Sequence, residues 1–322
     1  MRKLTRRQFI TKSTGAVGVA TALLMPRKTV GALEKPNIIF LLADDLRWNG
    51  LGCMGNPIVQ TPHIDALAVD GVLFENAFVT TSICAPSRAS YLSGQYVCHH
   101  GINDFGKTFT AEQWAAAYPA MLRDAGYATG FVGKYGVGNK MPEDKFDFWG
   151  GYAGQGKYEQ QDQDGNDKHL TQVHEEKALE FLQTYGGKQP FCLSVSFKAP
   201  HCQDGDPRQF IYDPRYADLY KDVEITPPET ADEKYFQRFP DFFRNNNEAR
   251  NRWQIRFSNP ELYQQMVKGY YRLITGVDRV VGAIRAELEA KGLAENTIIV
   301  FASDNGFYLG DYGLAGKWYG HD

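Results

Sequence analysis

Asn37-Ile38-Ile39-Phe40-Leu41-Leu42-Ala43-Asp44-Asp45 opens the regular part of the chain. From Asn37 to Ala43 no charge interrupts the run, the pattern of a strand buried on both faces, and it stops on two adjacent carboxylates. Working outward, strand and helix alternate. Thr61-Pro62 predicts the start of a short helix ending at Gly71, and Val72 to Phe78 reads as a strand. Pro86 to Leu92 reads as a helix closed by Gly94, and Trp114 to Ala125 as one interrupted at Pro119. Tyr127 to Val132 and Phe191 to Phe197 are further strands, with a helix between them over Leu170 to Tyr185. Pro260 to Lys291 is a long amphipathic helix stopped by Gly292, and the strand Thr297 to Ala302 follows. This order predicts an α/β fold, a largely parallel central sheet flanked by helices. Ligands in such sheets sit beyond the carboxyl ends of the strands, so the polar residues closing each strand are the first candidates for a site.

The 322 residues are 43% hydrophobic and 23% charged, ordinary globular material. Residues 1–32 hold seven basic side chains and no acid; the remainder has 28 basic against 38 acidic residues, a net charge of −10. An acidic body argues against a nucleic-acid partner, which needs a basic footprint. Thr5-Arg6-Arg7-Gln8-Phe9-Ile10 with Lys12 is similar to the twin-arginine export signal. The apolar run from Ser13 to Met25 is too short to make a stable membrane span, and Gly31-Ala32 is a small-residue cleavage point. The reading is a signal peptide over 1–32, a partner in the twin-arginine machinery, and a mature body over 33–322 that is periplasmic or secreted. Five cysteines without a C-x-x-C pair give no support to zinc or thioredoxin chemistry, and their odd number leaves at least one outside any internal disulfide. Residues 198–259, rich in Pro, Asp, Asn, Arg and aromatics, have little periodicity; so long a stretch is expected to shape a site.

Asp44-Asp45 and Asp304-Asn305 each follow an apolar strand. Three carboxylates and an amide oxygen form a hard shell of the kind that binds Ca²⁺ or Mg²⁺. Cys84-Ala85-Pro86-Ser87-Arg88-Ala89-Ser90-Tyr91-Leu92-Ser93-Gly94 places a cysteine at a helix entrance, where backbone N–H groups favour negative charge, with Arg88 one turn on. Such a position predicts a low-pKa thiol.

Those eleven residues resemble the sulfatase maturation motif, C-x-P-S-R followed by L, S or T, and G, and the likeness extends over nearly all of 35–322. It implies an alkaline phosphatase-like fold. Cys84 would be oxidised to formylglycine by a maturation enzyme, the hydrated aldehyde offering one hydroxyl to attack sulfur and a second to expel sulfate. The resemblance further implies that Asp44, Asp45, Asp304 and Asn305, with an oxygen of the modified Cys84, bind Ca²⁺. Arg88 would orient the formylglycine. Lys134, in Gly133-Lys134-Tyr135, and Lys317, in Gly316-Lys317-Trp318, would hold sulfate oxygens, and His201, in Ala199-Pro200-His201, would protonate the departing alcohol. The implied substrate is a sulfate ester, a small molecule or a sulfated glycan.

Two departures stand out. Gly136 occupies the place of the family's histidine two residues after the first lysine, with His99 and His100 the candidates to replace it. The sequence ends at Asp322, just after Lys317, where the family continues with the end of the main sheet and a smaller C-terminal domain. Two other readings stay open: a phosphodiester or phosphonate monoester hydrolase sharing the fold, metal shell and modified cysteine, and a binding protein for sulfated ligands without turnover.

Overall fold

The computed structural model describes residues 35–319, so the export signal read from residues 1–32 lies outside the described residues. Five strands form one sheet: β1 (Asn37–Asp44), β2 (Ala128–Lys134), β3 (Phe148–Tyr152), β4 (Phe191–Pro200) and β5 (Thr297–Ser303). Their spatial order is β3-β2-β4-β1-β5, and every neighbouring pair is parallel. Parallel strands require crossovers. These are built largely from helices, of which the longer are α1 (Pro62–Asp70), α2 (Cys84–Ser93), α3 (Leu170–Tyr185), α4 (Glu248–Phe257) and α5 (Pro260–Ala290). Local sequence sets their limits. Asn259 caps α5 by accepting from the Leu262 amide, and Pro260 takes the first helical position. Gly94, in the left-handed conformation, closes α2.

Both faces of the sheet are covered at its centre, which is why β1 shows no polar alternation, while on the edge strand β5 Ile298 and Val300 are exposed. Ile39 and Leu41 of β1 and Leu193, Val195 and Phe197 of β4 join Phe181 of α3 and Val277 and Val281 of α5 in the main core. On the opposite face Ala89 and Leu92 of α2 pack with Phe131 of β2, Trp114 and Phe146. The serines of β4 point to this second face: Ser194 Oγ lies 2.6 Å from Tyr118 Oη, and Ser196 Oγ accepts from Arg88. The sheet thus brings the carboxyl ends of all five strands to one edge.

Two local expectations change, and one strand has no counterpart among them. Val72 to Phe78 forms no strand; its β-branched and aromatic residues find no sheet edge, and Val72, Phe74 and Phe78 are exposed. Trp114 to Ala125 divides into Ala111–Ala115 and Tyr118–Asp124, with Pro119 seated in the first turn of the second piece, where its missing N–H costs nothing. β3, an edge strand with two adjacent glycines, is too short and Gly-rich to announce itself in sequence.

Candidate active site

The pairing of β1 with β5 assembles the acidic residues. Ala43 lies opposite Ser303, so Asp44-Asp45 and Asp304-Asn305 emerge side by side. Asp45 turns back at φ 67°, a conformation Asp tolerates better than most residues. Its amide donates to Asp304 Oδ1 at 3.1 Å, and Asn305 Nδ2 donates to Asp45 Oδ1 at 2.6 Å. Tyr270 of α5 fixes the turn by donating its hydroxyl to the Asp45 carbonyl at 2.7 Å.

α2 is docked on this edge by its own motif. Ser87 Oγ donates to the Asp304 carbonyl and Tyr91 Oη to the Ser303 carbonyl, at 2.5 and 2.7 Å. Cys84, the first residue of the helix, is thereby held with Sγ 3.6 Å from Asp44 Oδ1 and 2.8 Å from Lys317 Nζ. The low-pKa thiol expected from the helix entrance is not found: burial, then the Asp44 charge, pushes Cys84 up to about 11. Arg88 is buried and spends its guanidinium on Asp304 Oδ2 (2.9 Å), Asp44 Oδ2 (3.3 Å), the Lys134 carbonyl (2.8 Å) and Ser196. It fixes the carboxylates around Cys84 and, among the described residues, makes no hydrogen bond to the unmodified thiol.

Lys134 ends β2 and donates to Asp44 Oδ2 and, at 2.6 Å, to Gln155 Oε1. Lys317 donates to Asp45 Oδ1 at 2.5 Å and stands 3.7 Å from Asp44 Oδ1. His201 follows β4; its Nδ1 lies 2.5 Å from the Cys202 carbonyl, so Nδ1 carries a hydrogen and Nε2 faces Asp45 Oδ2 at 3.6 Å. All nine residues singled out from the sequence are buried here. Burial works to raise Asp44, but Lys134, His201, Lys317 and Arg88 outweigh it and hold that carboxyl well below its ordinary range. Burial wins at Asp45, which is raised, and at Asp304, raised to about 6 with Asp44 adding to the effect. His201 is held well below the usual imidazole value by burial and by Lys317.

Asp44, Asp45, Cys84 and His201 present ligand atoms within 4.8 Å of one another. Asn305 Oδ1 is buried without a hydrogen-bond partner, an oxygen free for a cation. Asp304, expected from the sequence to join them, is not in that group: its Oδ1 accepts from the Asp45 amide and its Oδ2 from Arg88, while Asp44, Asp45 and the orphan Asn305 oxygen fit a hard divalent ion. His201, Cys202 and Asp204 also cluster, but Arg256 already supplies a cation there, 3.0 Å from Cys202 Sγ and from Asp204 Oδ1.

Neither histidine considered as a replacement for the one absent at Gly136 contacts the site. His100 is bound to Ser90 Oγ and the Ile102 amide, and His99 is exposed with Nδ1 beside Cys98. Ser196, Gln155 and Lys198, by contrast, lie at the site or beside it and were not singled out from the sequence. The Ser-x-Ser alternation in β4 was a signal for the first. Gln155 sits between Gly154 and Gly156, both at positive φ, in a loop whose glycine content was its only mark.

The curated relatives include the N-acetylglucosamine-6-O-sulfatase of Bacteroides thetaiotaomicron, 27% identical over 346 residues. That match takes in 88% of this chain and 60% of the relative. An ulvan-active sulfatase of Formosa agariphila is 31% identical over 295 residues, 86% of this chain and 51% of the relative. The chain therefore spans about half to three fifths of their lengths. Among solved structures, one bound to its substrate D-glucosamine-2-N,6-O-disulfate superposes with a TM-score of 0.68 at 26% identity, covering 88% of this chain and 68% of that one. The phosphonate monoester hydrolase of Agrobacterium radiobacter gives 0.68 at 22% identity over 89% and 66%, a likeness of fold. The family profile described as Sulfatase matches residues 36–322, and the chain belongs to the sulfatase family.

Proposed function

We propose that this chain is the catalytic part of an exported sulfuric ester hydrolase that removes sulfate from a sulfated saccharide. The observation that carries the reading is the meeting of Cys84, two lysines and a histidine at one buried carboxylate cluster. The saccharide rests on the relatives, which include an N-acetylglucosamine-6-O-sulfatase and an ulvan-active sulfatase. The nucleophile is formylglycine made from Cys84 by a separate maturation enzyme; its hydrated aldehyde supplies one hydroxyl for attack and another for sulfate release. A thiol pushed up to about 11 is mostly protonated at neutral pH and a poor nucleophile, in keeping with that conversion.

Asp44, Asp45, Asp304 and Asn305, with the modified side chain, would hold Ca²⁺, and Mg²⁺ satisfies the same donors less readily because it demands a tighter octahedron. When bound, the ion supplies positive charge beside the sulfate oxygens. Lys134 and Lys317 bind the other sulfate oxygens. Arg88 holds Asp44 and Asp304 in place, and Lys134 by its carbonyl. His201, its Nδ1–H fixed on the Cys202 carbonyl, would deliver a proton from Nε2 to the alcohol oxygen as the S–O bond breaks, which requires the imidazolium form; the negative charge of a bound sulfate ester opposes the burial and Lys317 that disfavour that form.

The test is to co-express the protein with a maturation enzyme, follow the Cys84 peptide by mass spectrometry, and assay a panel of sulfated sugars beside a phosphonate monoester. Aldehyde at Cys84, sulfate release lost in chelator and in Cys84→Ala, and little phosphonate cleavage are expected. Turnover by a preparation holding only unmodified cysteine would refute the mechanism; preferred phosphonate cleavage would move the chain to the other reading.

A further inference from the structure

A cleft of about 530 Å³ opens beside His201, between the loop carrying Gln155 and Lys157 and the loop from Cys202 to Pro207. Lys198 lines it. The lysine owes its place to a break in strand register. Leu42 of β1 lies opposite Ser196 and Asp44 opposite Pro200, so β4 carries three residues where β1 carries one, and Lys198 is the middle of the three.

Lys198 is only 1% exposed, yet among the described residues it forms no ion pair. Its Nζ donates to the Cys202 carbonyl at 3.3 Å and lies 5.0 Å from the centre of the Tyr158 ring. One carbonyl and one ring face leave part of a three-donor ammonium unused. A buried ammonium is stable only when paired or fully hydrogen-bonded, and this one is short of negative charge. Burial and the nearby Lys134 both act to lower its pKa. Lys157, exposed on the rim, forms no ion pair among the described residues either. The acids across the cleft do not make up the deficit. Asp204 is engaged by Arg256 at 3.0 Å and Arg252 at 3.5 Å, and Asp206 by Arg208 at 2.7 Å. The cleft thus presents two unpaired ammonium groups next to the histidine assigned to the leaving alcohol.

We infer that this cleft seats the sugar bearing the scissile ester, and that Lys198 with Lys157 recognises a second anionic group on that sugar, a carboxylate or another sulfate. The inference rests on the sulfatase reading and adds a preference to it. A sugar carrying only the scissile sulfate leaves both ammonium groups unanswered. One with a further anion gives Lys198 a charge-assisted partner in a site of low dielectric.

The experiment measures kcat/KM of the matured protein on monosaccharides sulfated at each ring position. At the position cleaved, it then compares three forms of the sugar: no other charge, a second sulfate, a carboxylate. The wild type is expected to favour one of the two dianionic forms by about 10–100-fold, the worth of a charge-assisted hydrogen bond, and the favoured form identifies the anion. Lys198→Met should collapse that ratio toward one and Lys157→Gln should lower it partly, while Lys198→Arg retains most of it. The rim variant keeps the test decisive if the buried one fails to fold. Absence of cleavage at every position would sink the sulfatase reading itself. Cleavage with no preference, or with a ratio unchanged in both Lys198→Met and Lys157→Gln, would overturn this inference alone.

Discussion

Replacing Gly136 by alanine tests how tightly the fold and the site are joined. Gly136 has φ +70°, and a Cβ built there would lie 2.7 Å from Arg88 Cδ, 3.3 Å from Arg88 Nε and 3.6 Å from Lys134 Cε. The backbone conformation alone costs a non-glycine residue about 1–2 kcal/mol. The overlap adds more, because Arg88 has nowhere to go: Nε is on Asp304 at 2.9 Å, and Nη1 on the Lys134 carbonyl at 2.8 Å. Losing one hydrogen bond to a charged group costs about 1.5–3 kcal/mol, so the total is about 2.5–5 kcal/mol. Gly292→Ala is the control, since Gly292 has φ +66° and a Cβ there meets nothing within 4 Å. Urea unfolding followed by tryptophan fluorescence should show Gly136→Ala destabilised by about 1.5–3 kcal/mol more than Gly292→Ala. In the matured protein only Gly136→Ala should lose turnover. Equal destabilisation of the two, or normal turnover in Gly136→Ala, would refute the reasoning. A histidine at 136 brings the same Cβ, so Gly136→His is expected to impair this chain, although histidine is the family residue there.

His201→Ala should reduce cleavage of esters of poorly acidic alcohols by about 10²–10⁴, the usual worth of general-acid catalysis, and affect activated aryl sulfates far less; equal losses on both would remove the assignment. Asp278 of α5 accepts from the His63 and Ile64 amides at the start of α1, at 2.9 and 2.8 Å, and burial raises it to about 7. Its folded-state value exceeds its unfolded one, so the stability it contributes is full below about 3.8 and is lost as pH rises through about 7. Asp278→Asn should flatten the stability profile across that window, and parallel profiles would count against this. Calcium should raise the melting temperature of the unmatured protein, and calorimetric titration should show Lys317→Gln, which removes the cation on Asp45, binding it more tightly by about 10-fold or more. Weaker binding in Lys317→Gln would mean the lysine supports the metal site and does not compete with it.

Much of this was legible in the sequence because its most informative signals act locally. An unbroken apolar run such as Asn37 to Ala43 is a buried strand almost regardless of context, and in a parallel sheet its end must lie on the site edge. Asp44-Asp45 and Asp304-Asn305 could therefore be placed together from sequence, and the register of β1 with β5 does place them so. What was hidden depends on the third dimension. Lys198 reaches the cleft only through a register break between β1 and β4 that no pattern in the sequence records. Gln155 meets Lys134 across a loop, and Val72 to Phe78 has the composition of a strand without a neighbour to pair with. The low-pKa thiol expected at Cys84 is not found because a helix entrance is visible in sequence, while deep burial and the charges of Asp44 and Asp304 beside it are not.

The charges at the site explain why such a cluster can be buried at all. Asp44, Asp45 and Asp304 face Arg88, Lys134 and Lys317, and all six side chains are withdrawn from solvent. The negative and positive charges balance, which removes most of the cost that isolated buried carboxylates would carry. The partners are not equivalent. Arg88 is tied to two carboxylates, a serine and a backbone carbonyl, a set no single ligand could replace, so it belongs to the frame. Lys134 and Lys317 each hold a carboxylate through one flexible ammonium, which can turn to other oxygens. A divalent cation added to this balanced set would leave it two charges positive, with both lysines displaced from their carboxylates and free for a new partner. That surplus meets the single negative charge of a sulfate ester on binding and is matched in full only when sulfate leaves as a dianion, so the field favours the released anion over the bound ester. The lysines would then serve in turn as counter-ions that let the protein fold without metal and as donors to sulfate once it is bound.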